Sequence, residues 1–357
     1  MALKGGSLLS CLARNGFRGF NSHLQRHGVL LQQRVIEFRQ LMQILAMFMI
    51  VQFFGLLLAS QAYSGLSYVQ VKSAQVISSS ASAFIYIIYI IVITAVLLLI
   101  FRIYKGNKLY LLLEAGVVLV SSFFVFLIGI AAIFHSVAYN LYGPGNIYII
   151  GISIALAAIL VAAKLKMPRL RNVTAMMASV GVGLILGISF SFIAAFVFMA
   201  ILAAYDFVAV FITKHMVALG NIAIDRNLSF LVMVNEFKAV PESSLSASDR
   251  KEFEKDRSQI IKRGGILKSL AKKDLVPVSA RTALGTGDLA VPLMLAVSAY
   301  KVYLNFVLSF VIALGAVLGL ILTMTILARL KRPLPAIPPL LFGICIALAI
   351  YLGITLI

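Results

Sequence analysis

Residues 283–295 read ALGTGDLAVPLML. Asp288 is the one charged side chain in this stretch, and apolar residues continue beyond it on the C-terminal side. The fold turns on what surrounds that carboxylate. Of the 357 residues, 62% are hydrophobic and 12% are charged. A soluble domain would carry about a quarter of its residues as charges. Long apolar runs mark membrane-spanning helices. The chain therefore reads as an all-α polytopic membrane protein, with Asp288 inside a span. A carboxylate at the centre of such a helix costs about 2.5–3.5 kcal/mol on insertion scales.

Working outward from Asp288, nine spans are expected: 41–62, 82–101, 109–134, 147–163, 173–189, 192–213, 281–300, 304–328 and 337–357. The fifth and sixth are separated only by GISFS (187–191), the sole candidate turn in a stretch too long for one crossing. Nine spans put the N-terminal segment and the loops 102–108, 164–172, 214–280 and 329–336 on one side, with Arg281 at the boundary counted among them. Those segments hold 29 of the 31 Lys and Arg residues, leaving Lys72 and Lys301 opposite. The positive-inside rule then predicts a cytoplasmic N-terminus and an external C-terminus. One span more or fewer would scramble this asymmetry.

Four segments follow. Residues 1–40 form a basic cytoplasmic tail, whose simplest role is contact with anionic lipid, although its composition resembles a transit peptide. Residues 41–213 carry spans one to six. Residues 214–280 form a partly flexible cytoplasmic connector with one or two short amphipathic helices. Residues 281–357 carry spans seven to nine. The net charge of +19 lies in the loops, so no nucleic-acid partner is expected. Cys11 and Cys345 lie far apart, and His23, His27, His135 and His215 fit no metal motif, so neither metal nor cofactor is expected.

Of the twelve acids, nine lie in the tail or the connector. Glu114 sits near the cytoplasmic end of its span, where headgroups or Lys108 could neutralise it. That leaves Asp206, in LAAYDFVAVFITKH, and Asp288. Asp206 precedes Lys214 by eight residues, and Asp288 follows Arg281 by seven. At about 1.5 Å per residue the two reach roughly 12 and 10.5 Å into the membrane. Consecutive spans thus bring two deep carboxylates to one depth. Like charges held close share a proton, so the pair can offer a base for water and an acid for a carbonyl. A proton or cation relay in a transporter would use the same two groups.

Gly285 and Gly287 leave room for close backbone approach. Pro292 has no N–H for the Asp288 carbonyl, which predicts a local opening there. Pro333, Pro335, Pro338 and Pro339 crowd the start of the last span, which predicts extended backbone able to hold a substrate as a strand.

Tyr205–Asp206 in span six, Gly285–Thr286–Gly287–Asp288 in span seven and Pro335–Ala336–Ile337 opening span nine together resemble the presenilin and signal peptide peptidase family of intramembrane aspartyl proteases. The resemblance covers spans six to nine and agrees with the nine-span count. It implies that Asp206 and Asp288 are the catalytic dyad, with no metal or cofactor. Tyr205, Gly285, Thr286, Gly287, Pro335, Ala336 and Ile337 would support the active site and bind substrate. Ile337 stands where the family usually has Leu. The implied partners are transmembrane-helix substrates within the lipid bilayer, with any need for accessory subunits left open. The orientation resembles presenilin, whereas Pro292 resembles the signal-peptide branch. An archaeal homologue older than that division would show such a mixture. The alternative reading is a proton- or cation-coupled transporter, although the broken spans seven and nine have no counterparts in the first half of the chain.

Overall fold

The structure is a computed structural model, and it describes residues 38–66, 107–133, 145–167, 170–212, 230–241, 275–330 and 334–355. The expected second span (82–101), nearly all of the basic tail and the middle of the connector lie outside these residues. Among the described residues there are eight helices and one two-stranded sheet. The helices are α1 (Phe38–Leu66), α2 (Asn107–Ile133), α3 (Gly145–Lys166), α4 (Arg171–Ser189), α5 (Phe192–Phe211), α6 (Thr286–Tyr303), α7 (Phe306–Leu330) and α8 (Ile337–Thr355). The strands are β1 (Leu231–Pro241) and β2 (Leu275–Gly285). Seven helices are long and apolar enough to cross a membrane. The eighth, α6, is short and carries Asp288 and Lys301 at its two ends. The protein is thus a mostly helical, polytopic membrane protein.

The all-α expectation needs one amendment. Residues 281–285, expected to open the seventh span, belong to β2, and β1 occupies part of the connector read as loop and short helices. The reason is local. Val276, Val278 and Thr282 favour extended backbone, and two glycines within Gly285–Gly287 discourage helix until Thr286. The Thr286 N–H donates to the Phe230 carbonyl at 3.0 Å. This bond joins the end of β2 to the start of β1, so the strands run antiparallel.

The break expected in GISFS is present. Helix α4 ends at Ser189, and Ser191 caps α5 by accepting from the Ala194 N–H at 3.4 Å. A second cap separates α6 from α7. Leu304 closes α6 in a left-handed conformation (φ 49°), and Asn305 Oδ1 accepts from the N–H groups of Val307 (2.9 Å) and Leu308 (3.2 Å). The Asn305 amide also donates to the Tyr351 hydroxyl at 3.0 Å, fixing α7 to α8.

The chain divides into two units. In the smaller one (1–40 and 234–282), Thr282 donates its hydroxyl to Gln40 Oε1 at 3.0 Å. The larger one (41–233 and 283–357) is a helix bundle built around α6. Every residue of α6 from Leu289 to Ala299 is buried, so this stretch has no lipid face. By contrast Leu112, Ile147, Ile159 and Phe342 are exposed on α2, α3 and α8, as lipid-facing side chains would be.

Small residues set the closest contacts. A Cβ on Gly183 would lie 2.9 Å from Leu293 Cδ2, and one on Gly187 would lie 2.6 Å from Val297 Cβ. With Ser179, whose hydroxyl donates to the Thr286 carbonyl at 3.2 Å, these glycines make a four-residue-spaced small face against α6. At the far end Lys301 donates to the Ile188 carbonyl, where a cation complements the C-terminus of α4. Contacts therefore advance together along α4 and α6, which run parallel. Helix α1 also runs parallel to α6. Gln52 donates to the Leu289 carbonyl at 2.9 Å, a Cβ on Gly55 would lie 2.4 Å from Leu293 Cδ2, and the rings of Tyr63 and Tyr300 pair at 5.9 Å. Helices α7 and α8 are antiparallel, meeting at Gly315, Gly319 and Gly343. Helices α2 and α3 are also antiparallel, joined by an ion pair between Glu114 and Lys164.

Candidate active site

Asp206 lies near the C-terminal end of α5 and is only 7% exposed, although its neighbours Tyr205 and Phe207 are exposed. Its carboxylate is held from another helix. Oδ2 accepts the Ile337 N–H at 3.3 Å, and the Ala336 backbone also hydrogen-bonds to it. Two of the three residues of Pro335–Ala336–Ile337 therefore serve Asp206 directly, through main-chain donors at the N-terminus of α8. That end of a helix has unpaired N–H groups and favours negative charge.

Among the described residues, 334–336 are the non-helical part of this entry. Helix α8 starts at Ile337, and Pro338 and Pro339 sit in its first turn, where a missing N–H costs little. Pro333 lies outside the described residues.

Asp288 is not in mid-helix. It is the third residue of α6, half-buried, and its Oδ2 accepts the Gly285 N–H at 3.3 Å. This is the reach-back half of a capping box. The depth estimate made from a continuous helix therefore does not apply, because residues up to Gly285 are extended. Residues 286–303 are helical throughout, Pro292 included, so the opening in the chain lies before Asp288 and not behind it. A carboxylate in the first turn of a helix meets a favourable dipole, and that offsets part of its cost.

Around Asp288 the two glycines differ. A Cβ on Gly285 would lie 3.0 Å from Asp288 Oδ2, whereas one on Gly287 would meet nothing within 4 Å. Thr286 ties the turn to the strand entry, donating both its N–H (3.0 Å) and its hydroxyl (3.2 Å) to the Phe230 carbonyl. The two aspartates lie within electrostatic range of each other, with α5 packed against both α6 and α8. Among the described residues neither has a cationic partner, and no cluster of His, Cys, Asp and Glu could hold a metal ion. Of the nine residues singled out from sequence, Ala336 and Ile337 thus hold Asp206, Gly285 holds Asp288, and Thr286 ties the same turn to Phe230. Pro335 is buried at the entry to α8, Gly287 is exposed beside Asp288, and Tyr205 is exposed on α5.

Sequence reading missed Asn172. From the first turn of α4 its amide donates to the Met233 carbonyl at 2.8 Å and accepts the Met233 N–H at 3.1 Å. A side-chain amide thus takes the place of a third strand along β1 next to the strand entry. Its position beside Arg171, at a span boundary, made it look like an ordinary interfacial polar residue.

The fold and the carboxylates define a class, a helical membrane protein with two acidic side chains brought together inside the bundle. Comparison with known proteins narrows it. The family described as signal-peptide peptidase, presenilin aspartyl protease matches residues 45–354, and the chain belongs to that family. It is therefore an intramembrane aspartyl protease. Two solved structures share its fold, both titled as a presenilin family intramembrane aspartate protease. The one in space group C222 has 18% identity and a TM-score of 0.54, covering 88% of this chain and 99% of that one. The one in space group P2 has 18% identity and a TM-score of 0.52, covering 86% and 96%. A search of curated proteins found no match to the sequence.

Proposed function

We propose that Asp206 and Asp288 are the catalytic pair and that they hydrolyse peptide bonds within transmembrane segments of other proteins. The observation that carries this is the pairing of two carboxylates, held by backbone N–H groups, with no cation between them among the described residues. Such a pair keeps one proton. The ionised member takes a proton from water as the water attacks the scissile carbonyl. The protonated member gives its proton to the carbonyl oxygen. As the C–N bond breaks, the member that took the water proton passes it to the leaving nitrogen, and a hydroxyl of the tetrahedral diol returns a proton to the carboxylate that gave one up, so the pair again holds one. The Ile337 and Gly285 N–H groups fix the two carboxylates, and Thr286 fixes the turn that carries Asp288. Gly287 offers open space beside that carboxylate for an extended substrate backbone. Pro335 and Ala336 shape the non-helical entry to α8, and Tyr205 lies beside Asp206 on an exposed face where a substrate helix can reach it.

The membrane topology in this reading is nine spans with the N-terminus in the cytoplasm. Helix direction supports it. α1, α4 and α6 run parallel, α3 precedes α4 by a short link and so opposes it, and α2 opposes α3. α1 and α2 then point the same way, which requires an odd number of crossings between them, and the apolar run 82–101 supplies one. Water and the substrate's cut end would meet the pair from the cytoplasmic side.

The test is cleavage of a single-span substrate by purified protein in liposomes. Asp206→Asn and Asp288→Asn should each lower the rate by at least about a hundredfold. Cleavage at the original rate by either variant would refute the assignment. Ion flux without any cleavage would favour the transporter reading.

A further inference from the structure

We infer that Gln52, on α1, is a positioning residue for Asp288, an inference that rests on the catalytic assignment above. The turn carrying Asp288 is gripped from three elements. Phe230 accepts two bonds from Thr286, Ser179 of α4 donates to the Thr286 carbonyl, and Gln52 donates to the carbonyl of Leu289, the residue after Asp288. The Gln52 bond is the shortest of the side-chain contacts to this turn, at 2.9 Å, and it comes from the opposite end of the sequence. It sits where α6 is weakest. Pro292 has no N–H, so the Asp288 carbonyl lacks its usual helical donor, and the ring crowds that turn. A fixed donor on the next carbonyl holds the backbone that aims the carboxylate.

Stability alone gives a poor account of Gln52. Its side chain is 1% exposed in an apolar span, and Oε1 has no hydrogen-bond partner among the described residues. A buried amide with one end unsatisfied loses about as much as its one bond gains. Leu or Met at this position would suit an apolar bundle at least as well. An amide kept there at no gain to the fold points to geometry at the site, as with other functional groups that trade stability for activity.

The experiment uses the full chain in liposomes with a single-span substrate, measuring kcat, KM, their pH dependence and the thermal unfolding midpoint. Gln52→Leu and Gln52→Met should leave the unfolding midpoint unchanged or raised and lower kcat by roughly tenfold with KM unchanged. Gln52→Glu can donate only while protonated, so its rate should approach that of the unmodified protein toward acid pH and fall away as pH rises. Unchanged kcat in Gln52→Leu would overturn the inference. So would kcat and unfolding midpoint falling together with no recovery in Gln52→Glu, since that marks a purely structural contact. Asp288→Asn is measured alongside. If it cleaves normally, the catalytic assignment fails and this inference with it. If it is inactive while the Gln52 variants are normal, only this inference fails.

Discussion

Two places in the bundle hold carboxylates among apolar helices, and they differ in what sits opposite. Between α2 and α3, Glu114 faces Lys164, and both side chains are nearly buried. Among α5, α6 and α8, Asp206 and Asp288 each accept from backbone N–H groups and lie within electrostatic range of each other. In the first, a cation and a carboxylate offset each other. In the proposed reading the second balances its charge only by keeping a proton, and a proton shared between two groups can be passed on. Burial of an acid is thus a weak sign of function by itself, and its partner decides. Headgroups or Lys108 are what the sequence offers Glu114, and the structure adds a cation on the neighbouring helix, Lys164.

The strongest way to break this comparison is pH. A pair that works with one proton loses its base when both carboxyls are protonated and its donor when both are ionised. Cleavage should therefore fall on both the acid and the alkaline side, by about a hundredfold once either role is lost. A rate flat across that range would remove the distinction from Glu114. Glu114→Gln should leave the shape of the profile unchanged.

The next largest effect belongs to the other site. Lys164→Met removes the Lys164 charge from beside the buried Glu114 and should cost about 3–5 kcal/mol of stability. Adding Glu114→Leu should restore most of that loss, since an apolar pair of similar volume suits the same space. Thermal and denaturant unfolding of the three proteins would measure it. Cleavage per folded molecule should stay constant throughout. A double variant no more stable than Lys164→Met would mean that Glu114 has a role beyond its partner.

How much of this was legible beforehand depended on the kind of signal. Apolar runs located the eight described helices to within a few residues, because membrane length and backbone satisfaction leave few alternatives. The exception was the start of α6. Residues 281–285 adjoin the long apolar run that follows, so they read as its start, although Thr282, the glycines and pairing with β1 make them strand. Asp206 and Asp288 stood out because a lone charge in an apolar run has few explanations. Ala336 and Ile337 emerged through their sequence setting, although what they contribute is backbone N–H groups, which no side-chain pattern encodes. Gln52 and Asn172 give a weaker signal, because an uncharged amide costs less to bury than a carboxylate. The reading that singled out the two aspartates, extended to amides inside spans, reaches Gln52.

The finest test lies within the second site, between the two glycines beside Asp288. Gly285 has no room, because an added Cβ would press on the Asp288 carboxylate at 3.0 Å. Gly287 is exposed, with nothing within 4 Å of an added Cβ. Gly285→Ala should therefore act on the carboxylate and lower kcat. Gly287→Ala should leave the fold intact or firm the helix by about 0.5–1 kcal/mol. If a substrate backbone lies against that space, Gly287→Ala should raise KM by no more than about tenfold, with kcat little changed. Steady-state kinetics on both variants, with unfolding midpoints as controls, separate the effects. A kcat loss in Gly287→Ala with KM untouched would place the substrate elsewhere and make the open side of Asp288 a matter of helix packing alone.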